Sequence, residues 1–434
     1  MNTTSPHRKL PIGLQNLREI REGDYYYVDK TGLAIDLIES PGKAYFLSRP
    51  RRFGKSLLVD TFKELFEGHR ALFNGLEAEQ RWDWSQCHPV IRISLADGVL
   101  RNRAELDRSL LGLLRTQREA LGIDTPAWLA PEDVAANLAD LIRQASQRYG
   151  QPAVVLVDEY DKPILDNITA PAAALEMREG LKNLYSVLKE ADAHLKFVFF
   201  TGVSKFSKVS LFSGLNQLRD ITIDPHYSAL CGYTDHDLDT VFAPELPGLD
   251  REEIRRWYNG YNWRGTSVYN PFDVLLHLYT RELRSFWFET GTPTFLVKLI
   301  TERQMHTPDL GQIVATESLL STFDVDTILP EALLFQAGYL TIASEWAIPG
   351  RLEFTLKYPN QEVQAALNDC LLKSYVGSPQ APEPQISRLY RVLHAGEAAH
   401  VLGPHVGLQA KDVFRLGRIQ HRRHRLERIH RFQR

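Results

Sequence analysis

The chain has few cysteines and no long apolar run. Only three cysteines occur among 434 residues, none of them in a CxxC pair, and the 14 histidines show no HExxH or similar spacing. These gaps disfavour both a disulfide framework and a zinc site. We also find no run of about 18 apolar residues and no apolar segment of a secretory signal near the N-terminus. We therefore expect a cytoplasmic protein without a membrane span.

The chain also lacks a strong net charge. Its 51 lysines and arginines against 54 acids leave a formal charge of -3, which provides no global attraction to nucleic acid or to a membrane. The hydrophobic share of 44% and the charged share of 24% are typical of a globular protein. Since the length exceeds what one core usually supports, we expect about two or three domains.

The first positive signal is a short apolar segment that leads into Gly-Lys-Ser. Residues 44–48 read as a buried strand, and apolar positions recur with helical spacing after Gly54. A strand, a tight loop and a helix start direct backbone N–H groups at phosphates, Lys55 would reach the terminal phosphates, and Ser56 would ligate Mg²⁺. We assign ATP binding to the loop residues Arg49, Pro50, Arg51, Arg52, Phe53, Gly54, Lys55, Ser56 and Leu57.

This loop departs from the common phosphate-loop motif where it begins. Arg49 stands at the position of the motif's first glycine, and Pro50 has no backbone N–H to offer. Arg51 and Arg52 add positive charge, but solvated side chains explain them at least as well as phosphate contacts.

A second apolar strand ends in two acids. Residues 153–157 are followed by Asp158 and Glu159. A carboxylate at this point would lie beside the phosphate loop, so we assign Asp158 to Mg²⁺ together with Ser56. We assign Glu159 to the attacking water as general base. The plain alternative is a strand that ends in a polar loop.

Two weaker catalytic candidates follow. Thr201, at the end of a third apolar strand, could sense the γ-phosphate, and Ser204 could do the same, but either could equally cap a helix or complete a turn. Arg219 precedes a short strand that we place at 221–223. It could reach the triphosphate of its own or a neighbouring subunit in an oligomer, although a surface ion pair is the commoner use of such a residue.

Aromatic residues are concentrated in two places. Tyr27 and the tyrosines before it could stack on adenine or serve only for packing at a strand end. A second group could form a stacking platform for nucleic acid, but we favour packing between domains for Trp257, Tyr258, Tyr261 and Trp263.

The order of elements predicts an α/β fold. Strands alternate with helices up to residue 232, which is typical of a parallel sheet covered on both faces. We predict a three-layer P-loop NTPase domain at 1–232, of the additional-strand type because a strand near Val90 lies between the two nucleotide motifs. A mainly helical domain, with a winged-helix-like fold as one option, follows at 233–375. A linker and a basic tail occupy 376–434.

These motifs together resemble the bacterial AAA-ATPase-like family. The resemblance extends over roughly residues 10–375 and rests on the segments 10–13, 27–31, 48–56, 158–163, 201–207, 258–261, 268–271 and 290–293. It implies an ATPase module that uses ATP and Mg²⁺, and it implies that Arg49 is a family trait. It also implies a following PD-(D/E)XK nuclease-type domain. Most members of the family have no established biological role.

The C-terminal part departs from that family. A nuclease core of this type needs an acid and a strand with Glu-x-Lys to hold a metal. No Glu-x-Lys occurs after residue 385, where Asp412 and Glu427 are among the few acids. We therefore expect no nuclease activity. The eight arginines from Arg415 to Arg434 indicate either a basic arm for nucleic acid or, as we favour, a truncated end without selected structure.

Our interpretation is an ATP-binding protein and Mg²⁺-dependent ATPase whose coupled process the sequence does not identify. The alternative is a nucleotide-gated switch or scaffold, which would bind a partner or DNA with negligible turnover.

Overall fold

A computed structural model describes residues 7–205, 211–212, 215, 217–287, 313–317, 320 and 329–375. The predicted tail at 376–434, with Asp412 and Glu427, lies outside the described residues, as do the motif residues 206–207 and 290–293.

Up to residue 232 the chain alternates strands and helices, as predicted. The elements are α1 Leu17–Glu22, α2 Thr31–Glu39, β1 Ala44–Ser48, α3 Lys55–Phe66, α4 Ala78–Arg81, β2 Val90–Ser94, α5 Arg103–Leu121, α6 Val134–Tyr149, β3 Ala153–Asp158, α7 Lys162–Leu165, α8 Pro171–Glu190, β4 Leu195–Gly202 and β5 Leu218–Asp220. Strand β5 thus lies three residues before the predicted 221–223.

These strands form one parallel sheet in the order β2–β3–β4–β1–β5. Leu47 of β1 is level with Thr201 of β4, and Ser94 of β2 is level with Asp158 of β3. The α/β fold is confirmed. In the sheet, however, the strand that lies between β1 and β3, and thus between the two nucleotide motifs, is β4. The strand near Val90, which we took as the additional strand, is β2 at the edge of the sheet. Crossover connections decide this order, and chain order does not reveal it.

Strands β1 and β3 are buried along their whole length, which explains their unbroken apolar sequences. Helices pack against the sheet through amphipathic faces, α3 against β3 and β4, and α5 against β2. The carboxyl ends of β1, β3 and β4 therefore meet at one edge, where polar loops follow apolar strands.

The chain after residue 232 contains helices and a second sheet. The elements are α9 Asp235–Thr240, α10 Arg251–Tyr258, α11 Pro271–Thr280, β6 Ile313–Thr316, α12 Pro330–Ala337, β7 Thr341–Ile348, β8 Arg351–Lys357 and α13 Gln361–Tyr375. The three strands form an antiparallel sheet in the order β6–β8–β7. We had predicted the helices but not this sheet. A signal was present, because Pro349-Gly350 separates two alternating segments and Gly350 adopts φ +82°.

Residues before and after position 232 pack together in two shared hydrophobic cores. Tyr26 and Val28 share a core cluster with Leu238 and Phe242, while the core of the parallel sheet continues to Trp263 and to later residues such as Leu334 and Phe354. The domain limits at 232 and 375 remain predictions. Among the described helices, none combines the length and the apolar character that crossing a membrane requires.

Candidate nucleotide site

A cavity of about 450 Å³ lies at the edge where β1 and β3 end. Residues 51–57 of the phosphate loop form one wall, and Glu159 and Asp161, which follow β3, form another. Most of the remaining lining comes from the N-terminal lead-in, from residues 230–233 and from α11. The structure thus brings the two sequence motifs to one cavity.

The phosphate loop joins β1 to α3 through two left-handed residues. Gly54 has φ +84° and Arg52 has φ +67°. The left-handed φ favours glycine at position 54, and a lack of space does not, because no heavy atom lies within 4 Å of a Cβ built there. Helix α3 has 12 residues, and its first N–H groups have no partner within the helix, so its N-terminus is a favourable place for an anion.

Lys55 is the first residue of α3 and is only 7% exposed. Its Nζ donates to the carbonyl oxygens of Arg49 at 3.0 Å and Pro50 at 2.9 Å. Burial lowers the pKa of Lys55, and the negative charges of Asp158 and Glu159 oppose that change. The ammonium group therefore donates to two neutral acceptors, and a phosphate oxygen, which is negatively charged, would form a stronger bond with it.

Asp158 lies at the tip of β3 and is 2% exposed. Its Oδ1 atom has no hydrogen-bond partner among the described residues. A buried carboxylate oxygen without a partner is costly unless a cation or a donor reaches it. Together with the hydroxyl of Ser56 in the cavity wall, this oxygen fits Mg²⁺, which prefers oxygen ligands and retains several waters.

Glu159 follows Asp158 in a left-handed conformation, with φ +54°. Such a backbone is uncommon for a residue with a Cβ and turns the side chain out of the strand direction into the cavity wall. Burial raises the pKa of Glu159, an effect that the positive charge of Lys55 opposes. A carboxylate with a raised pKa is a better proton acceptor than an exposed one.

Asp161 is a site residue to which we had assigned no role. It is buried and accepts three hydrogen bonds, from the N–H of Val203 at 3.2 Å and from the N–H and the hydroxyl of Ser204, each at 2.7 Å. Burial raises the pKa of Asp161, against the effect of these bonds. The carboxylate ties the loop after β3 to the loop after β4. A signal existed, since Asp161 is the third acid after the strand.

The structure does not bring Thr201 or Arg219 to the cavity. The Thr201 hydroxyl is fully buried and donates to the carbonyl of Leu47 at 3.0 Å. The Arg219 guanidinium is 43% exposed and pairs with Asp224 at 2.9 Å, which is the surface ion pair named as the alternative. The Ser204 hydroxyl is bound to Asp161.

Arg49 and Pro50 also lie outside the cavity wall. The Arg49 guanidinium is fully buried and donates to the carbonyl oxygens of Ser48, Thr222 and Tyr227. Its backbone N–H donates to Gly202 at 3.2 Å. Arg49 therefore supports the loop from the interior, and a phosphate contact is not what its position favours.

Phe53 anchors the loop on its other side. It is buried and meets the rings of Tyr261 and Trp263 edge to face, at centroid distances of 4.7 and 5.5 Å. Two of the four aromatic residues that we assigned to packing thus contact the phosphate loop directly.

Part of the cavity lining is apolar and aromatic. Tyr27 is half-buried there, and burial raises its pKa to about 12. Phe272 and Leu275 of α11 face the same space, and the Arg52 guanidinium lies 4.8 Å from the centre of the Phe272 ring. This part of the lining has the apolar and aromatic character that a nucleotide base requires.

Comparisons with known proteins agree with this geometry. Residues 11–212 match a family model described as "Predicted AAA-ATPase". An "Uncharacterized protein in vnfD 5'region" of Azotobacter chroococcum mcd 1 is 58% identical over 391 residues, which cover 90% of this chain and 75% of that protein. Neither finding confirms the nuclease-type domain that the resemblance implied. The chain belongs to the AAA-ATPase-like family.

Proposed function

We propose that this chain binds ATP together with Mg²⁺ and hydrolyses it to ADP and phosphate. One observation carries the proposal: the N-terminus of α3, Lys55 and Glu159 line a single cavity, and the residue directly before Glu159, Asp158, has a buried Oδ1 without a partner among the described residues. The family supports an ATPase-like function but not these individual roles.

The phosphates would lie against the start of α3. Lys55 would leave the carbonyls of Arg49 and Pro50 and bind the β- and γ-phosphates, while the backbone N–H groups of the loop donate to the same oxygens. Ser56 and Asp158 would hold Mg²⁺, which neutralises charge on the phosphates when it is bound.

Glu159 would orient the attacking water and take its proton. Its raised pKa and its place in the cavity wall both support this role. Asp161 would act indirectly, by fixing the loop after β4. Thr201 and Arg219 have no direct role in this proposal, since their polar groups are engaged elsewhere. Tyr27 would contact the base.

Lys55→Ala tests the proposal. We expect this variant to lose ATP binding or phosphate release while it still folds cooperatively, because the loss of two hydrogen bonds to carbonyls lowers the melting temperature without unfolding the domain. Lys63→Ala is the matched control, since Lys63 lies on the same helix but pairs with Glu64 and Glu67 away from the cavity.

Equilibrium binding of a fluorescent ATP analogue and steady-state phosphate release are the two measurements. Unchanged affinity and turnover in Lys55→Ala would contradict the phosphate-loop assignment. Tight binding by the wild type with no measurable phosphate release would favour the nucleotide-gated switch instead.

A further inference from the structure

The phosphate loop is in contact with Trp287, which is 236 residues away from Arg51 in the chain. The indole Nε1 of Trp287 donates to the carbonyl of Arg51 at 3.2 Å, and its backbone N–H donates to Glu362 at 2.9 Å. Trp287 is buried, and Glu362 at the start of α13 is fully buried. One tryptophan thus links the loop to the helix α13.

The end of α12 makes a second contact with the loop. Gly338 ends this helix with φ +92°, and a Cβ built there would lie 2.7 Å from the ring carbons Cβ and Cγ of Pro50. Two residues earlier, the Gln336 side-chain oxygen accepts the N–H of Lys205 at 2.7 Å. A single turn of chain therefore touches both the phosphate loop and the loop after β4, which Asp161 holds from the other side.

We propose that Trp287, Gln336 and Gly338 are positioning residues of the ATPase site, so that the chain after residue 232 completes this site. This inference rests on the proposed function. In the structure, Lys55 donates to the carbonyls of Arg49 and Pro50. Once Lys55 turns to phosphate those two bonds are lost. Arg49 would still hold the start of the loop from the interior, and the contacts on its other sides come from Trp287, from Gly338 and from the aromatic pair around Phe53.

Trp287→Phe removes the donor and keeps an aromatic ring. Trp84→Phe is the matched control, since the Trp84 indole donates to the carbonyl of Glu79 at 3.1 Å, far from the cavity. We expect the KM for ATP to rise about three- to tenfold in Trp287→Phe, the usual effect of losing one hydrogen bond, with a smaller change in kcat. Trp84→Phe should leave both constants unchanged.

Gly338→Ala tests the contact with Pro50. Gly350→Ala is its control, because Gly350 has a similar φ of +82° but no heavy atom near the added Cβ. Both variants carry the strain of a left-handed alanine, so only a rise in KM specific to Gly338→Ala supports the inference.

A readout without ATP separates this inference from the proposed function. Arg51 and Arg52 are exposed, so trypsin cleavage after them, followed by mass spectrometry, reports opening of the loop. We expect faster cleavage at these two sites in Trp287→Phe than in Trp84→Phe. Equal cleavage rates, together with equal KM values, would overturn the inference. If the wild type does not bind ATP, the proposed function fails, and the cleavage rates still decide whether Trp287 holds the loop.

Discussion

Replacing Arg49 by methionine should make the protein easier to unfold without removing a ligand contact. The buried guanidinium donates to the carbonyls of Ser48, Thr222 and Tyr227 at 2.9, 2.8 and 3.1 Å. It also lies 4.0 Å from the centre of the Trp263 ring. Methionine has a similar length but no donor, so all three carbonyls would lose this partner and the ring would lose its cation.

The size of the effect follows from these contacts. Hydrogen bonds from a charged donor contribute about 1.5 kcal/mol each at the low end, and a desolvated cation–π contact adds about 2 kcal/mol. Opposing them, burial lowers the pKa of Arg49 from 12.5 to about 10, which at about 1.4 kcal/mol per pKa unit costs about 3 kcal/mol. We therefore expect the free energy of unfolding to fall by about 3 kcal/mol.

Urea denaturation measures the stability of Arg49→Met, and equilibrium ATP binding measures whether the guanidinium contacts the phosphates. Arg52→Met is the matched control, because Arg52 is exposed and its guanidinium lies over the Phe272 ring. The free energy of unfolding should fall by only about 0.5–1 kcal/mol in this variant. Folded Arg49→Met should bind ATP within about threefold of the wild type. A loss of affinity of about tenfold or more with unchanged stability would refute this reasoning, since it would place the guanidinium on the phosphates.

Three further predictions concern acidic residues. Glu159→Gln should keep ATP binding but slow phosphate release by about 10²-fold or more, whereas Asp158→Ala should weaken Mg²⁺-dependent binding; similar behaviour of both variants would contradict the division of roles. Because burial raises the pKa of Glu159, wild-type turnover should fall with acidification already above pH 4.5, the ordinary value for glutamate. Asp273 is fully buried, and burial together with Glu362 raises its pKa well above 3.8. The folded state therefore retains a proton that the unfolded chain releases, so stability should fall as pH rises through the raised pKa. Asp273→Asn should accordingly raise the melting temperature more at about pH 8 than at about pH 5, and an equal change at both values would contradict the raised pKa.

Much of the nucleotide site could be predicted from local patterns. Lys55 and Ser56 follow a buried strand and open a helix, and Glu159 follows a second buried strand after Asp158, so each pair is defined by neighbours within a few residues. Parallel strands in one sheet place their carboxyl ends at the same edge. The two motifs were therefore expected to meet, and both line or border the same cavity.

Other features depended on contacts between distant segments. Arg49 binds carbonyls more than 170 residues away, at Thr222 and Tyr227, and Trp287 reaches Arg51 across 236 residues. The position of β4 between β1 and β3 likewise depends on how the crossovers pack.

The sequence by itself determined which strand–loop–helix units form, because apolar periodicity, Gly54 and the acids after β3 act over a few residues. Tertiary structure alone decided that Arg49 points inward, that Asp161 holds Ser204, and that Trp287 and Gly338 support the phosphate loop. The physical reason is that a buried donor or a close backbone approach is satisfied by whichever group the fold brings near, and no local pattern specifies that group.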